Sequence, residues 1–94
     1  MGKPMEEESM SSMAENEKLR IRMRNVGSRI AYIRKLRGLN QDQLAELSGV
    51  SLSYLAKIEA NSNDEPNLPS VKYLYRIADA LNVPITKLFE EEIQ

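Results

Sequence analysis

The sequence predicts an all-α fold, a compact bundle of five short helices, and three observations carry that expectation. Apolar residues recur at three- and four-residue spacing from Val26 onward, while the strict alternation of a half-buried strand is absent. Helix-opening residues (Asn40, Ser51, Ser70) and glycine stops (Gly38, Gly49) recur at the intervals of short helices. A chain of 94 residues, 41% hydrophobic and 29% charged, has room for one small domain and a tail.

Taken in order, residues 1–17 are polar and acidic, and they read as a disordered tail or a remnant left by cloning. Residues 18–25 read as a basic arm or an extension of the first helix. The domain proper is expected over 26–90, followed by an acidic end at 91–94. Val26, Ile30, Ile33 and Leu36 form one face of a first helix, about 26–37, that stops at Gly38. Asn40 caps a second helix, with Asp42 in its first turn and Leu44, Ala45 and Leu47 inward, and Gly49 ends it. Ser51 caps a third helix with Leu55 and Ile58 inward. The Asn, Ser, Asp and Pro content of 61–69 predicts an irregular loop. Ser70 then opens a fourth helix with Val71, Leu74, Ile77, Ala78 and Leu81 on one face, and Ile85 to Phe89 forms a short fifth.

Composition excludes much of chemistry. Neither cysteine nor histidine is present, so disulfides, thiol nucleophiles, thiolate or imidazole zinc sites and imidazole acid–base catalysis fall together. Carboxylate neighbours such as Asp64 with Glu65, or Glu90 to Glu92, lack a partner base or a glycine-rich cradle, and the acidic end reads as solvated. The expectation is therefore a protein that is not an enzyme and uses no cofactor and no metal. No signal peptide or membrane-length apolar run is visible, which places the chain in the cytoplasm by default.

The net charge of −1 hides an asymmetry. Between Lys18 and Arg37 lie eight bases and no acid, whereas residues 1–17 hold five acids and 38–94 hold nine. Screening limits the reach of distant charge to roughly 8–10 Å, so a local basic block can hold an anion on a slightly acidic protein. A solvated face is the plainer reading of the run; as a DNA contact it would offer Arg29 and Lys35 to phosphates and Arg20 to Arg24 as an arm.

The most informative stretch is QDQLAELSGVSLSYLAKIEAN, residues 41–61. A helix that reads DNA must fit the major groove, present its N-terminal side chains to base edges and be braced by a preceding helix. Here Ala45 is small where two helices would cross, Gly49 lies in the turn, Val50 and Leu55 can plug a core, and Ser51, Leu52, Ser53, Tyr54 and Lys57 remain for outward display.

This segment resembles the helix-turn-helix of the lambda-repressor-like, Cro/cI-type family of bacterial and phage transcription regulators. With the flanks IAYIRKLRGLN and SVKYLYRIADALNVPITKLF, the resemblance covers about residues 26–89, the family's whole five-helix domain. It implies that Asn40 and Gln41 meet a DNA phosphate, with Asn61 as a further neutral donor. It implies that Ser51, Leu52, Ser53, Tyr54 and Lys57 meet bases or adjacent phosphates, Tyr54 having packing as its plainer alternative. It also implies that Arg34 and Glu59 form a structural ion pair. The loop after the third helix departs from the pattern, because Asp64 and Glu65 stand where relatives often place bases.

The function this implies is a sequence-specific regulator of transcription, a repressor, that reads double-stranded DNA with residues 51–60 as a homodimer on an inverted-repeat operator. Control by abundance or by a protein antagonist is expected. The apolar residues of the last two helices read first as core, with outward members as a dimer patch. The alternatives are a restriction–modification controller or antitoxin-like regulator, and a protein-interaction module that sequesters another regulator.

Overall fold

The computed structural model describes residues 5–60 and 69–90, the side chains of 5–16 and of Arg20 excepted. Four α-helices and a terminal 3-10 helix follow one another: α1 Met5–Leu36, α2 Gln41–Ser48, α3 Leu52–Ala60, α4 Val71–Leu81 and the 3-10 helix Ile85–Phe89. No strand occurs among the described residues. Helices α2 and α3 form a pair at the centre. Helix α1 crosses α3, α4 lies against α2, and the 3-10 helix closes the base between α1 and α4.

The first helix departs most from expectation. Its 32 residues span about 48 Å, and it starts at Met5, so the stretch expected as a disordered tail is helical from there on. Of the two readings of 18–25, the structure takes the helix extension. Met, Glu, Ala, Lys, Leu and Arg are strong helix formers, and acids toward the N-terminus with bases toward the C-terminus suit the helix dipole. Helix formation there needs no core face, which is why apolar spacing missed it. Glu17, Lys18 and Leu19 are exposed, so this part of α1 stands clear of the core. Gly38, at φ 74°, stops the helix, and Leu39 N donates back to Arg34 O at 3.1 Å.

One cluster forms the core: Val26, Ile30 and Ile33 from α1, Leu44 and Ala45 from α2, Val50 from the turn, Leu55 and Ile58 from α3, Leu74, Ile77, Ala78 and Leu81 from α4, and Leu88. Three residues expected inward face solvent, namely Leu36 (67% exposed), Leu47 (61%) and Val71 (63%). Leu36 and Val71 occupy terminal positions where the buried stripe has run out or not yet begun. Leu47 yields its place to Ser48, whose hydroxyl is needed inside. Ser48 Oγ donates to Ala45 O and accepts from Val50 N, each at 3.3 Å, so the backbone of the turn is satisfied without water.

Two arginines expected on a basic surface serve the fold. Arg29 is 8% exposed, donates to Lys87 O at 3.3 Å and to Glu90 Oε1 at 2.9 Å, and lies 5.4 Å over the Tyr32 ring. Its Nη1 is buried without a hydrogen-bond partner, so the ring face is what offsets that part of the charge. Glu90, expected in a solvated acidic end, also takes Lys87 Nζ at 3.2 Å. Arg37 Nε donates to Leu81 O at 2.8 Å and its Nη2 to Asn82 O at 3.4 Å, capping the open carbonyls of α4. Asn82 ends α4 in the left-handed conformation at φ 60°.

Gly27 marks a close approach of α1 to α3. A Cβ built there would overlap the backbone carbonyl of Ile58 in the last turn of α3, which unlike the end of a flexible side chain cannot move aside cheaply. Glycine at this point is what lets α1 cross α3. Gly27→Ala is expected to cost about 1–3 kcal/mol, a fall in melting temperature on the order of 10 °C. Melting at the wild-type temperature would show that α1 and α3 do not meet at this contact.

Candidate nucleic-acid interface

The α2–α3 pair is built by local signals. Asn40 Oδ1 accepts from Gln43 N at 2.7 Å, and Gln43 Oε1 accepts from Asn40 N at 2.8 Å, a reciprocal box that fixes where α2 begins. Gly49 ends it at φ 75°, and its N–H reaches Ala45 O at 2.9 Å. Ser51 Oγ then accepts from Tyr54 N at 3.1 Å, so α3 restarts after the three residues Gly49, Val50 and Ser51.

Glu59 ties this pair to the first helix. Arg34 Nε and Nη2 donate to its two carboxylate oxygens, each at 2.9 Å, in a two-pronged pair whose side chains are only 10% and 4% exposed. Arg34 Nη1 donates to Leu39 O at 2.8 Å, and Gln41 Nε2 donates to Glu59 Oε1 at 2.9 Å. One carboxylate thus receives donors from α1 and from the first residue of α2. The angle at which α3 leaves the domain is held by all three.

The residues singled out from the sequence divide accordingly. Ser51, Leu52, Ser53 and Lys57 are exposed together on the N-terminal and outer face of α3. Tyr54 is half-buried, its ring edge against Tyr73 with centroids 5.5 Å apart, so the ring belongs to the seam with α4 and the outward set narrows to the other four. Asn40 is exposed and keeps its amide nitrogen as a donor beyond the cap; half-buried Gln41 sits beside it at the start of α2, where backbone N–H groups lack helical partners. Lys35 is exposed in the last turn of α1. Arg29 is removed from the phosphate set, because its guanidinium is buried against the 3-10 helix. Asn61, the acidic loop with Asp64 and Glu65, and residues 91–94 lie outside the described residues. Sequence reasoning missed the Gln41 to Glu59 bond, the Gly27 contact and the Tyr73 seam; a glycine inside an otherwise helical stretch was the available signal for the second.

Neither a group of metal-ligating side chains nor a helix long and apolar enough to cross a membrane occurs among the described residues. What the arrangement offers is a short polar helix face, open to solvent, set on a rigid base across a left-handed glycine turn. That is a helix-turn-helix. The chain belongs to the helix-turn-helix family, whose profile matches residues 30–88, and within it to the lambda-repressor-like, Cro/cI-type regulators.

Among its relatives, the HTH-type transcriptional regulator SlrR of Bacillus subtilis (strain 168) is 42% identical over 67 residues, which cover 71% of this chain and 42% of SlrR. The immunity repressor protein of Bacillus phage phi105 is 46% identical over 67 residues, covering 71% and 44%. The chain thus spans under half the length of these two relatives. Among solved structures, the restriction-modification controller protein C.AhdI from Aeromonas hydrophila superposes with a TM-score of 0.64 at 30% identity, covering 71% of this chain and 96% of that one.

Removing Glu59 leaves the Arg34 charge buried without its partner. Glu59→Ala is expected to cost roughly 3–5 kcal/mol of stability, read as loss of melting temperature, while Asp42→Ala on the exposed side of α2 stays within about 0.5 kcal/mol. Equal melting of the two variants would show the pair to be solvated.

Proposed function

We propose that the chain is a sequence-specific double-stranded DNA-binding transcriptional regulator, acting as a repressor in the cytoplasm, that lays α3 in the major groove. The observation that carries this reading is the exposed set Ser51, Leu52, Ser53 and Lys57 on a helix whose direction is fixed by the buried Arg34–Glu59–Gln41 network. Serine hydroxyls donate or accept at base edges, leucine suits a thymine methyl, and lysine suits guanine or phosphate. The Asn40 and Gln41 end of α2 positions the protein on a phosphate and carries no sequence information. One such domain buries little DNA surface, so useful affinity comes from a two-fold dimer on an inverted repeat with half-sites about 10 bp apart or a multiple. Tyr75 (52% exposed) and Phe89 (45%) support a dimer patch on α4 and the 3-10 helix. Two relatives named as a transcriptional regulator and an immunity repressor support the repressor reading.

A restriction–modification controller is the second reading, favoured because the likeness to C.AhdI covers 96% of that controller's chain. A promoter fusion that rises with the protein, instead of falling, would select it over the first.

Selection from a random duplex pool is expected to enrich a palindrome, bound with a salt slope of about −0.9 per phosphate neutralised. On that site Ser53→Ala and Lys57→Ala should each lose ~1–3 kcal/mol at particular base pairs, whereas Gln41→Ala weakens every sequence alike. No enrichment and no salt-dependent binding would leave a protein-partner module in place of this reading.

A further inference from the structure

Around α3, Tyr54 and Glu59 stand about 140° apart with buried Leu55 and Ile58 between them, so they mark the two edges of its open face. The Glu59 edge is lined by Gln41 and the start of α2. The Tyr54 edge is lined by Tyr73 of α4, and two cations converge on that ring: Lys72 Nζ at 5.7 Å and Arg76 Cζ at 5.6 Å from its centroid. Arg76 also reaches the α2–α3 turn, its Nη1 lying 4.0 Å from where a Cβ on Gly49 would be.

Lys72 and Arg76 are both exposed, and among the described residues neither has a carboxylate partner. Like charges four residues apart on a helix repel. The Tyr73 ring attracts each of them and so keeps both beside the Tyr54 edge of α3. An anion bound by either would relieve that repulsion.

A helix with side chains is about 10–12 Å across and the major groove about 12 Å wide, so a helix seated there has a sugar-phosphate strand along each edge. We infer that Lys72 and Arg76 bind the phosphates of one strand while Asn40 and Gln41 meet the other, so that α3 is gripped from both edges of the groove. The inference rests on the DNA-binding reading above and adds to it the part of α4 that touches DNA. It also gives this chain DNA-facing cations outside the post-recognition loop, whose sequence carries Asp64 and Glu65 in place of bases.

The test compares the full chain with Lys72→Gln, Arg76→Gln and the double variant on the duplex enriched by the selection and on mixed-sequence duplex DNA, across a salt series. The double variant is expected to bind both duplexes more weakly, with a salt slope shallower by about 1.8 per protomer, about 3.6 for the dimer, and Arg76→Lys to restore its share. Methylphosphonates placed in both half-sites of the enriched palindrome at the phosphates on one edge of the groove should then abolish the effect of the double variant and spare that of Gln41→Ala, and placed at those on the opposite edge should do the reverse. An unchanged slope in the double variant, or sensitivity of both sets to the same edge, would overturn the inference while leaving DNA binding intact. Failure of the unaltered chain to bind either duplex would overturn both.

Discussion

The buried pair of Arg34 and Glu59 is the constraint on which the rest of the structure depends. Two charges taken out of water cost several kcal/mol each, and their attraction repays this only when the remaining hydrogen-bonding capacity is met. Here protein groups meet much of it: Arg34 serves both carboxylate oxygens and the Leu39 carbonyl, and Glu59 takes a further donor from Gln41. The same geometry that satisfies the charges fixes the first helix, the start of the second and the end of the third relative to one another. The direction of the open face of α3 is therefore set by electrostatics inside the domain, and of its four exposed residues Ser51 also caps the helix.

The distinction between bases inside and outside the protein explains how the charge is used. Arg29, Arg34 and Arg37 lie in one basic run, and each commits its guanidinium to carbonyls, carboxylates or a ring, the first two buried and Arg37 at the surface. Guanidinium suits this work, with five donors in a flat fork that satisfies several acceptors at once. Lys35 and Lys57 stay exposed as compact, hydrated charges. Counting bases along the run overstates what it offers to DNA, because three of its eight members hold the domain together.

How much was legible in the sequence follows from the range of each interaction. The second and third helices were legible to the residue, since Asn40, Gly49 and Ser51 act on neighbours within a turn. The inward place of Ser48 was not, because hydrophobicity ranks it below Leu47 while the turn backbone needs its hydroxyl. The extended first helix escaped apolar spacing because it is sustained by local propensity. Arg29 was misplaced because its partners, Lys87 and Glu90, are some sixty residues away, and nothing local distinguishes a buried arginine from a solvated one. Of the site, the Arg34–Glu59 pair was accessible through resemblance, whereas the bond from Gln41 to the same carboxylate needed coordinates.

Gly27 shows how one contact limits the variety of sequences a fold can take. The span matched by the family profile begins at residue 30, so this crossing lies just upstream of it. At the crossing of the long first helix over the third, even a single added methyl group meets the Ile58 carbonyl. A helix-turn-helix chain with a bulkier residue there must route its first helix farther from the third, or end it sooner. That single position therefore carries information about the path of a whole element, and it does so without touching the DNA-facing surface.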